Sequence, residues 1–507
     1  MIEIASIFQN KMLLQRDKKI CIWGRGDIGK ELSIVIQGEM YETSVDEAGN
    51  WKTYIGPLAV AESTELIVSD GESKLTIEDV AVGDVYIASG QSNMEFLMRY
   101  EKHIAEEKKV CDNASIRFFD VPEISYEGQD KDFDYSNVGI WRKTTAEDLQ
   151  FFSAPAYYMA KTLNAKLGIP IGIVGLNWGG TRTSVWMSEE HANEVCPDLV
   201  ADFERKLNGK SYAELIEAAG KSPLNDRGYS SWEPFSEFMM PRTPSPEEIG
   251  AFMAQAAQTA EFDDFANSVL PVEKPGCLYE RMVKPVAPFG AKGVLWYQGE
   301  SDAEVLEGAK KYETALTTMM NDWRELWNEK LPFFIVQLPG FRSWLETSGE
   351  NYTYIRDAQK QICDKDDNAY LCSISDSGEE FDIHPKNKKV VGERLAALAL
   401  KYLYKQDIVV DAPSLNHIER NGNTIAIYFD NAGEGLKLNG ESINALEIFD
   451  KEATIDYSFE ILKDRVVINL KANPTNQVTI QFAYTDWYLV NLYNSAGMPA
   501  IPFCACC

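Results

Sequence analysis

The stretch Gly90-Gln91-Ser92-Asn93 places a serine hydroxyl directly after the apolar run VYIAS and directly before a helical pattern. A turn from strand to helix needs a glycine and a capping residue, but it does not need a serine between two carboxamides. Two interpretations follow. Either Ser92 is an ordinary N-cap residue, or its hydroxyl is held at the end of a strand as a nucleophile.

A nucleophilic serine needs a base within hydrogen-bond reach, usually a histidine, and the chain has four histidines. His103 stands in a charged helical pattern, His191 in an acidic segment, and His417 in a β-rich C-terminal region. His384 alone follows a predicted strand of the α/β region and precedes a helical pattern. A single histidine there is more often a capping or core residue. Combined with Ser92 at a matching strand end, His384 becomes the candidate base.

Hydrolysis of an ester also requires N–H donors directed at the negative charge that develops on the carbonyl oxygen. Three candidates lie near predicted strand ends: the backbone N–H of Ser92, a glycine of WGGT (178–181), and the side-chain amide of Gln298 in WYQGESD (296–302). A glycine suits this task because no Cβ prevents close approach. Each motif alone is weak evidence, since such turns commonly contain glycine. Their coincidence indicates an esterase.

Short, nearly continuous apolar runs alternate with long helical patterns in the middle of the chain. The predicted strands are GDVYIAS, IPIGIVGL, KGVLWYQ, LPFFIVQL and NAYLCSIS, and the predicted helices cover 154–167, 305–328, 351–363 and 386–404. Strands buried on both faces that alternate with helices predict an α/β domain with a parallel sheet. Ligands of such sheets bind at the carboxyl ends of the strands, where the motifs above fall.

The pattern changes at both ends of this region and once inside it. Residues 1–81 alternate apolar and polar in short runs closed by glycine, which predicts a small β-sandwich-like domain. The predicted catalytic domain covers 82–407, and a second β-rich module covers 408–507. An acidic, mostly helical insertion occupies about 187–275. Two alternatives stay open for it: a wall or lid of the site, or a surface elaboration.

Charge and cysteine content limit the partners and the compartment. A net charge of −29 argues against nucleic acid and anionic membranes as partners. No apolar run reaches the roughly 18 residues of a membrane helix, and no secretory leader is visible. We expect a cytoplasmic protein, or one whose leader has been removed. The nine cysteines are scattered, which favours a reducing compartment, and the final FCACC is expected to be a frayed end with incidental thiols.

Four motifs in this order, GQSNM, WGGT, WYQGESD and DIHP, resemble the SGNH (GDSL-type) hydrolase superfamily. More narrowly, they are similar to its branch of sialate O-acetylesterases and carbohydrate acetylesterases. The similarity includes FQNKMLLQRDKKICIWG near the N-terminus and LVNLYNSAGMPAIPF near the C-terminus, and covers about residues 8–503. The resemblance implies a three-layer α/β/α domain with a central parallel sheet, flanked by β-rich modules. It also implies a serine esterase that needs no metal and no organic cofactor.

The resemblance assigns a role to each matching position. Ser92 corresponds to the nucleophile and His384 to the base. Gly180 and Gln298 correspond to oxyanion donors that act with the Ser92 N–H. Asn93 is expected to stabilise the nucleophile turn more than to contact substrate.

Candidate sugar contacts flank the second motif. Trp178 and Trp186 have the ring size to stack on a sugar. Arg182 has two alternatives that stay open: it pairs with the carboxylate of a sialic acid, or it braces its own loop through an acidic neighbour.

The chain departs from the superfamily pattern at the catalytic acid. That acid usually lies three residues before the histidine, and here the position is Phe381. Asp382 lies two residues before His384, and either its carboxylate or its backbone carbonyl would orient the imidazole. Asp376 and Glu300 are weaker candidates for the acid, and Glu300 is also a weak candidate for substrate binding.

A second departure concerns specificity. Many members read Tyr-Asn-Gly-Met where this chain has Tyr-Glu-Arg-Met at 279–282, which leaves the sugar open. The resemblance implies a serine carbohydrate esterase that removes O-acetyl groups from a mono- or oligosaccharide, most closely a sialate O-acetylesterase. One alternative is an acetyl esterase acting on xylan, mannan or xyloglucan fragments. Another is a glycan-binding protein with a silent α/β domain. The oligomeric state is open, and a homodimer is one option.

Overall fold

The structure is a computed structural model that describes residues 2–131, 138–219, 233–258, 269–345, 347–451, 453–472, 474 and 476–507. Its contacts divide the chain into two compact units. Unit 1 comprises Met1–Trp296 and Thr314–Phe333, and unit 2 comprises Tyr297–Glu313 and Phe334–Cys507. The fold is α/β, with a central mixed sheet and β-rich regions at both ends of the chain.

The first part of unit 1 is β-rich, as its alternating sequence predicts. In ELSIVI, for example, Leu32, Ile34 and Ile36 are buried and the residues between them are not, which is the period of two of a strand with one buried face. The strands are Glu3–Ile4, Leu13–Gln15, Ile20–Arg25, Glu31–Ile36, Glu39–Ser44, Asn50–Ile55 and Ala61–Ser69.

The strand Lys74–Gly90 links this β-rich part to the sheet that carries Ser92. It pairs antiparallel with Ala61–Ser69 through residues 74–82 and parallel with Ile171–Asn177 through residues 84–90. The strand therefore runs uninterrupted through the predicted boundary at residue 81. The predicted division into domains at 1–81, 82–407 and 408–507 stays a prediction.

The sheet of unit 1 has the strand order Trp141–Thr144, Asn113–Asp120, Ile171–Asn177, Lys74–Gly90, Gly293–Tyr297. Ile171–Asn177 is buried at all seven positions and lies parallel to both neighbours, as the continuous apolar run predicts. The predicted parallel sheet carries one antiparallel strand at its edge, where Trp141–Thr144 pairs with Asn113–Asp120. Its sequence WRKT is too polar to be recognised as a buried strand.

The predicted helices are confirmed within a few residues at either end. Ala154–Leu167 starts after Ser153, whose hydroxyl accepts from the Ala156 N–H, and stops at Gly168 with φ +64°. The helices of unit 1 are Ser92–Glu95, Ile104–Glu107, Ala154–Leu167, Glu189–Val195, Pro197–Leu207, Tyr212–Ala219, Glu233–Met239, Pro246–Ala256 and Lys284–Val286. The insertion is helical as expected, although its residues 220–232 and 259–268 lie outside the described residues.

Unit 2 continues the α/β pattern before its β-rich end. The strands Phe333–Val336 and Ala369–Cys372 are neighbours, and the helices are Tyr352–Lys365 and Lys389–Tyr402. Helix Leu306–Trp327 is shared between the units. The helix after His384 begins at Lys389, three residues after the predicted start at 386.

The last hundred residues form two four-stranded antiparallel sheets around an apolar core that includes Ile427, Ile448 and Ile480. The strands are Ser414–Asn421, Thr424–Asp430, Lys437–Leu438, Leu446–Asp450, Ala453–Thr454, Tyr457–Leu462, Arg465–Leu470, Val478–Phe482, Leu492–Tyr493 and Phe503–Cys506. The FCACC end is therefore not frayed, because Phe503–Cys506 pairs along Val478–Phe482. Within the described part of the chain, no helix is both long and apolar enough to cross a membrane.

Candidate active site

Ser92 lies at the carboxyl end of the strand Lys74–Gly90, where the chain turns into the one-turn helix Ser92–Glu95. Gly90 has a φ of +134°, a conformation that favours glycine, so the motif needs this residue for the turn. The N-cap position is Gln91, and Ser92 is the first helical residue. Ser92 is half-buried, whereas Asn93 is only 1% exposed. Ser92 is therefore not the N-cap, and Asn93 is placed as expected of a residue that supports the turn.

The motif WGGT follows the neighbouring strand and lies against this turn. Asn177, the last residue of that strand, stands opposite Gly90, and the N–H of Trp178 donates to the Gly90 carbonyl at 3.2 Å. A Cβ on Gly179 would lie 3.3 Å from the Cβ of Ser92. A side chain at 179 would therefore fit only if its neighbours shifted by a few tenths of an ångström.

Gly180 is the exposed tip of this loop and has a φ of +71°. A Cβ there would meet nothing within 4 Å, so space is available above the residue. The loop is braced from inside: the Thr181 hydroxyl donates to the Trp178 carbonyl at 2.7 Å and accepts from the Trp186 indole at 3.0 Å. This geometry suits an oxyanion donor, and the assignment of Gly180 to that role stays a prediction.

The candidate sugar contacts of unit 1 are mostly turned inwards. Trp178 is 8% exposed and Trp186 is fully buried. Arg182 lies 2.5 Å from the carboxylate of Asp202, which also pairs with Arg205. Of the two alternatives for Arg182, this ion pair favours the brace of its own loop.

Gln298 lies in unit 2, fully buried at the end of the third motif. Its Oε1 accepts from the Tyr312 hydroxyl at 2.8 Å, and its Nε2 donates to Oδ2 of Asp302 at 2.6 Å. These two bonds hold the carboxamide in one orientation. A carboxamide carries two N–H donors, and the bond to Asp302 uses one of them. Its role as an oxyanion donor stays a prediction.

His384 also lies in unit 2, and its side chain is 8% exposed. The ring of Trp344 stands perpendicular to the imidazole with the centroids 5.2 Å apart. Burial, with the positive charges of Lys386 and Lys388 added, holds the pKa of His384 well below 6.5. A neutral imidazole is the form that accepts a proton, so this environment suits a general base.

Asp382 contacts His384 mainly through the backbone. Its Oδ1 accepts the N–H of His384 at 2.8 Å, but lies 4.0 Å from the imidazole Nδ1, which is beyond hydrogen-bond length. Its Oδ2 pairs with Lys386 at 2.8 Å. The carboxylate therefore shapes the loop that carries the histidine. Asp376, a weaker candidate for the acid, forms a two-bond ion pair with Arg394 at 2.7 and 2.8 Å.

The predicted site residues thus fall into two groups, each coherent within its unit. Unit 1 holds Ser92, Asn93, Trp178, Gly180 and Arg182. Unit 2 holds Gln298, Glu300, Asp382 and His384, and the negative charge of the buried Glu300 acts on Lys388. The pairing of Ser92 with His384 across the chain stays a prediction.

The other three histidines occupy positions that structural roles explain. His103 is the N-cap of a short helix and contacts Glu101. His191 lies on an insertion helix and pairs with Asp322. His417 stacks on Tyr428 with the ring centroids 4.3 Å apart.

Sequence reasoning missed three ionisable side chains beside the motifs. Glu95 is the acceptor of the Gly179 N–H, and its position three residues after Ser92 in one helical turn was the available signal. Asp120 ends the strand Asn113–Asp120, which the sequence did not reveal. Lys388 is fully buried with its ammonium over the ring of Tyr297, and burial first, then Lys386, lowers its pKa to about 7.

Metal ligands were not predicted, and the described residues contain no group of three or more His, Cys, Asp or Glu side chains that could hold an ion.

Comparison with known proteins identifies similar chains. A sequence model of the family described as carbohydrate esterase, sialic acid-specific acetylesterase, matches residues 227–401. The chain is 24% identical to the sialate O-acetylesterase of Mus musculus, over 99% of this chain and 94% of that protein. It is 26% identical to the sialate O-acetylesterase of Rattus norvegicus, over 82% of this chain and 76% of that protein.

The fold is also that of a solved structure. A crystal structure of a carbohydrate acetylesterase from Xanthomonas citri superposes with a TM-score of 0.75 at 24% identity, over 100% of this chain and 99% of that one. The likeness covers the α/β region and both β-rich ends.

Proposed function

We propose that this chain, which is similar to the sialic acid-specific acetylesterases among the carbohydrate esterases, removes O-acetyl groups from sialic acid. It is a carboxylic ester hydrolase, and its substrate class is O-acetylated carbohydrate. Sialic acid is the finer proposal, supported by the description of the family and by the names of the mouse and rat relatives.

One arrangement in unit 1 carries the proposal for the mechanism. A half-buried serine begins a helix at a strand end, and a loop of two glycines packs against it with its tip exposed. An ordinary turn does not require a glycine pressed against the serine. In contrast, a loop that presents N–H donors beside a nucleophilic serine has to pack this closely against it.

The proposed reaction proceeds in two steps. Ser92 Oγ forms a bond to the acetyl carbonyl carbon while its proton passes to the imidazole of His384. The oxyanion is held by the N–H groups of Ser92 and Gly180 and by the side chain of Gln298. The bond to the sugar oxygen breaks, and the sugar hydroxyl leaves with the proton from His384. Water then attacks the acetyl-enzyme and gives a proton to His384; the bond from the carbonyl carbon to Ser92 Oγ breaks, Oγ takes that proton, and acetate is released.

The test measures acetate release from O-acetylated sialic acid by the wild type and by Ser92→Ala. We expect the variant to lose at least about a thousandfold in kcat, because the nucleophile is gone while binding is retained. Ser63→Ala is the matched control, since Ser63 is exposed on the strand Ala61–Ser69. Equal release by the wild type and Ser92→Ala would refute the assignment of the nucleophile.

The same assay decides the sugar. Acetylated xylo-, manno- and xyloglucan oligosaccharides are offered beside O-acetyl sialic acid, and kcat/KM is compared. We expect the highest value for sialic acid. A higher value for a plant oligosaccharide would overturn the finer proposal and leave the carbohydrate esterase in place. Binding of acetylated glycans without any turnover would instead favour a glycan-binding protein.

The cytoplasmic location and the oligomeric state also belong to the proposal. They are tested by cell fractionation and by light scattering of the purified chain. A secreted protein would contradict the expected compartment.

A further inference from the structure

Glu95 connects the nucleophile turn to the loop that carries Gly180. It is the last residue of the helix that begins with Ser92, and its Oε2 accepts the backbone N–H of Gly179 at 2.6 Å. A hydrogen bond from an N–H to a carboxylate is about twice as strong as one between neutral groups. The contact joins residues that stand 84 positions apart in the chain.

The peptide unit between Trp178 and Gly179 is held at both of its polar ends. Glu95 accepts its N–H, and the Thr181 hydroxyl donates to its carbonyl oxygen at 2.7 Å. The next peptide unit, between Gly179 and Gly180, carries the N–H that the proposed reaction uses. Two consecutive glycines have wide conformational freedom, so the direction of that N–H depends on restraints from outside the loop.

Glu95 also occupies the space next to the nucleophile. A Cβ on Gly179 would lie 3.1 Å from Oε2 of Glu95 and 3.3 Å from the Cβ of Ser92. The carboxylate, the loop backbone and the serine thus pack as one layer. A residue that only capped the helix would not need to reach the neighbouring strand's loop.

We propose that Glu95 is a positioning residue of the esterase: it fixes the peptide before Gly179 and thereby directs the Gly180 N–H toward the oxyanion formed at Ser92. This inference rests on the proposed function. The effect belongs to the transition state, because the oxyanion exists only after the serine attacks. Loss of Glu95 is therefore expected to lower kcat and to leave KM nearly unchanged.

The experiment compares Glu95→Ala, Glu95→Asp and Glu95→Gln with the wild type in the acetate-release assay. We expect kcat to fall about ten- to a hundredfold in the alanine and aspartate variants, since neither reaches the Gly179 N–H. Glutamine keeps an acceptor oxygen at the right distance and is expected to recover a large part of that loss. KM should change by less than about threefold in all three. Glu106→Gln, on the exposed face of the next helix, is the matched control.

A second readout follows the serine itself. A fluorophosphonate forms a P–O bond with Ser92 Oγ, releases fluoride and leaves the serine proton on the base, and its phosphoryl oxygen needs the same donors. We expect Glu95→Ala to be labelled more slowly by a factor similar to its loss of kcat. A residue that only supports the fold would shift the melting temperature and leave the labelling rate of the folded protein unchanged.

Thr181→Val provides an independent variant should Glu95→Ala fold poorly, because Thr181 holds the other end of the same peptide. It is expected to lose kcat in the same way as Glu95→Ala. Wild-type kcat and labelling in folded Glu95→Ala, or in folded Thr181→Val, would overturn the positioning role. Activity in Ser92→Ala would instead overturn the proposed function, so the two failures are distinguishable.

Discussion

At the scale of single residues, the environment of each candidate side chain fits a distinct task. Ser92 is half-buried at a helix start, while His384 is almost enclosed. Burial and two lysines keep the pKa of His384 below its usual value, so the imidazole stays neutral in mildly acidic solution. Asp382 restrains the histidine backbone and pairs with Lys386, which keeps that positive charge close to the base.

The first prediction concerns the acid limb of the pH profile. Activity should fall when His384 becomes protonated, and this should occur below 6.5 because its pKa is lowered. In Lys386→Met a positive charge is removed, so the pKa of His384 rises and the acid limb of kcat/KM moves to higher pH. Lys389 lies on the same segment but is not among the groups that lower the pKa of His384. Lys389→Met should therefore leave the acid limb of kcat/KM at the same pH. An unmoved limb in Lys386→Met would contradict this role.

A second residue-scale prediction concerns Asp382. Asp382→Ala removes the acceptor of the His384 N–H, whereas Asp382→Asn retains an oxygen at that place. We expect kcat to fall about tenfold or more in the alanine variant and less in the asparagine variant. Steady-state kinetics measure both. An asparagine variant as poor as alanine would show that the negative charge, and not the backbone bond, is what matters.

At the scale of elements, the register of the sheet decides what stands beside Ser92. Asn177 lies opposite Gly90, and Gly175 lies opposite Asp120, so three strands end near one another in unit 1. A Cβ on Gly175 would be 2.8 Å from Oδ1 of Asp120, which explains the glycine there. Burial, and secondly the charge of Glu95, raise the pKa of Asp120 to about 8.

This pKa predicts a pH dependence of stability. Between 3.8 and about 8 the folded chain keeps a proton on Asp120 that the unfolded chain releases, so the free energy of unfolding falls as pH rises through this interval. The positive charge of Arg142 lowers the pKa of Asp120, but by less than burial and Glu95 raise it. In Asp120→Asn this carboxyl group is absent, so the free energy of unfolding should fall less steeply as pH rises through the interval. Urea unfolding at several pH values measures it, and an unchanged slope would contradict the assignment.

The glycine loop yields another element-scale prediction. Gly179→Ala places a Cβ 3.1 Å from Oε2 of Glu95 and 3.3 Å from the Cβ of Ser92, so the loop or these neighbours must shift by a few tenths of an ångström. We expect kcat to fall about tenfold or more with little loss of stability. Gly250→Ala is the control, because that glycine is exposed in the helix Pro246–Ala256 with nothing within 4 Å of its Cβ. Full activity in Gly179→Ala would show that the loop tolerates displacement.

At the scale of the whole molecule, the β-rich end of the chain is part of unit 2. Tyr488 and Thr485 contact Arg356, a buried arginine of the helix Tyr352–Lys365. Arg356 also donates to the Pro339 carbonyl. The C-terminal sheets and the second half of the α/β region therefore share buried contacts.

The corresponding prediction is a loss of stability in Arg356→Met. The variant leaves the buried Pro339 carbonyl and the part-buried Thr485 carbonyl without their charged donor, which costs about 2–3 kcal/mol of unfolding free energy. Arg342→Met removes a half-exposed ion pair with Glu380 and should cost less than about 1 kcal/mol. Urea midpoints compare the two. Equal losses would show that the Arg356 contacts do not couple the β-rich end to its unit.

Most of the elements, and the resemblance to carbohydrate acetylesterases, could be predicted from the sequence alone. Apolar periods are local, so the strand Ile171–Asn177 and the helix Leu306–Trp327 could be predicted within one or two residues. The motifs around Ser92, Gly180, Gln298 and His384 are contiguous in the chain and could be recognised without coordinates. The edge strand Trp141–Thr144 was missed because a polar strand of four residues has no readable period.

Contacts between groups far apart in the sequence could be seen only in the folded chain. Glu95 meets Gly179, Arg182 meets Asp202, and the cysteine-containing end pairs with Val478–Phe482. The physical reason is common to all three: such contacts follow from strand register and from the packing of chain segments far apart in sequence. Neither residue of a pair carries a local signal for its partner.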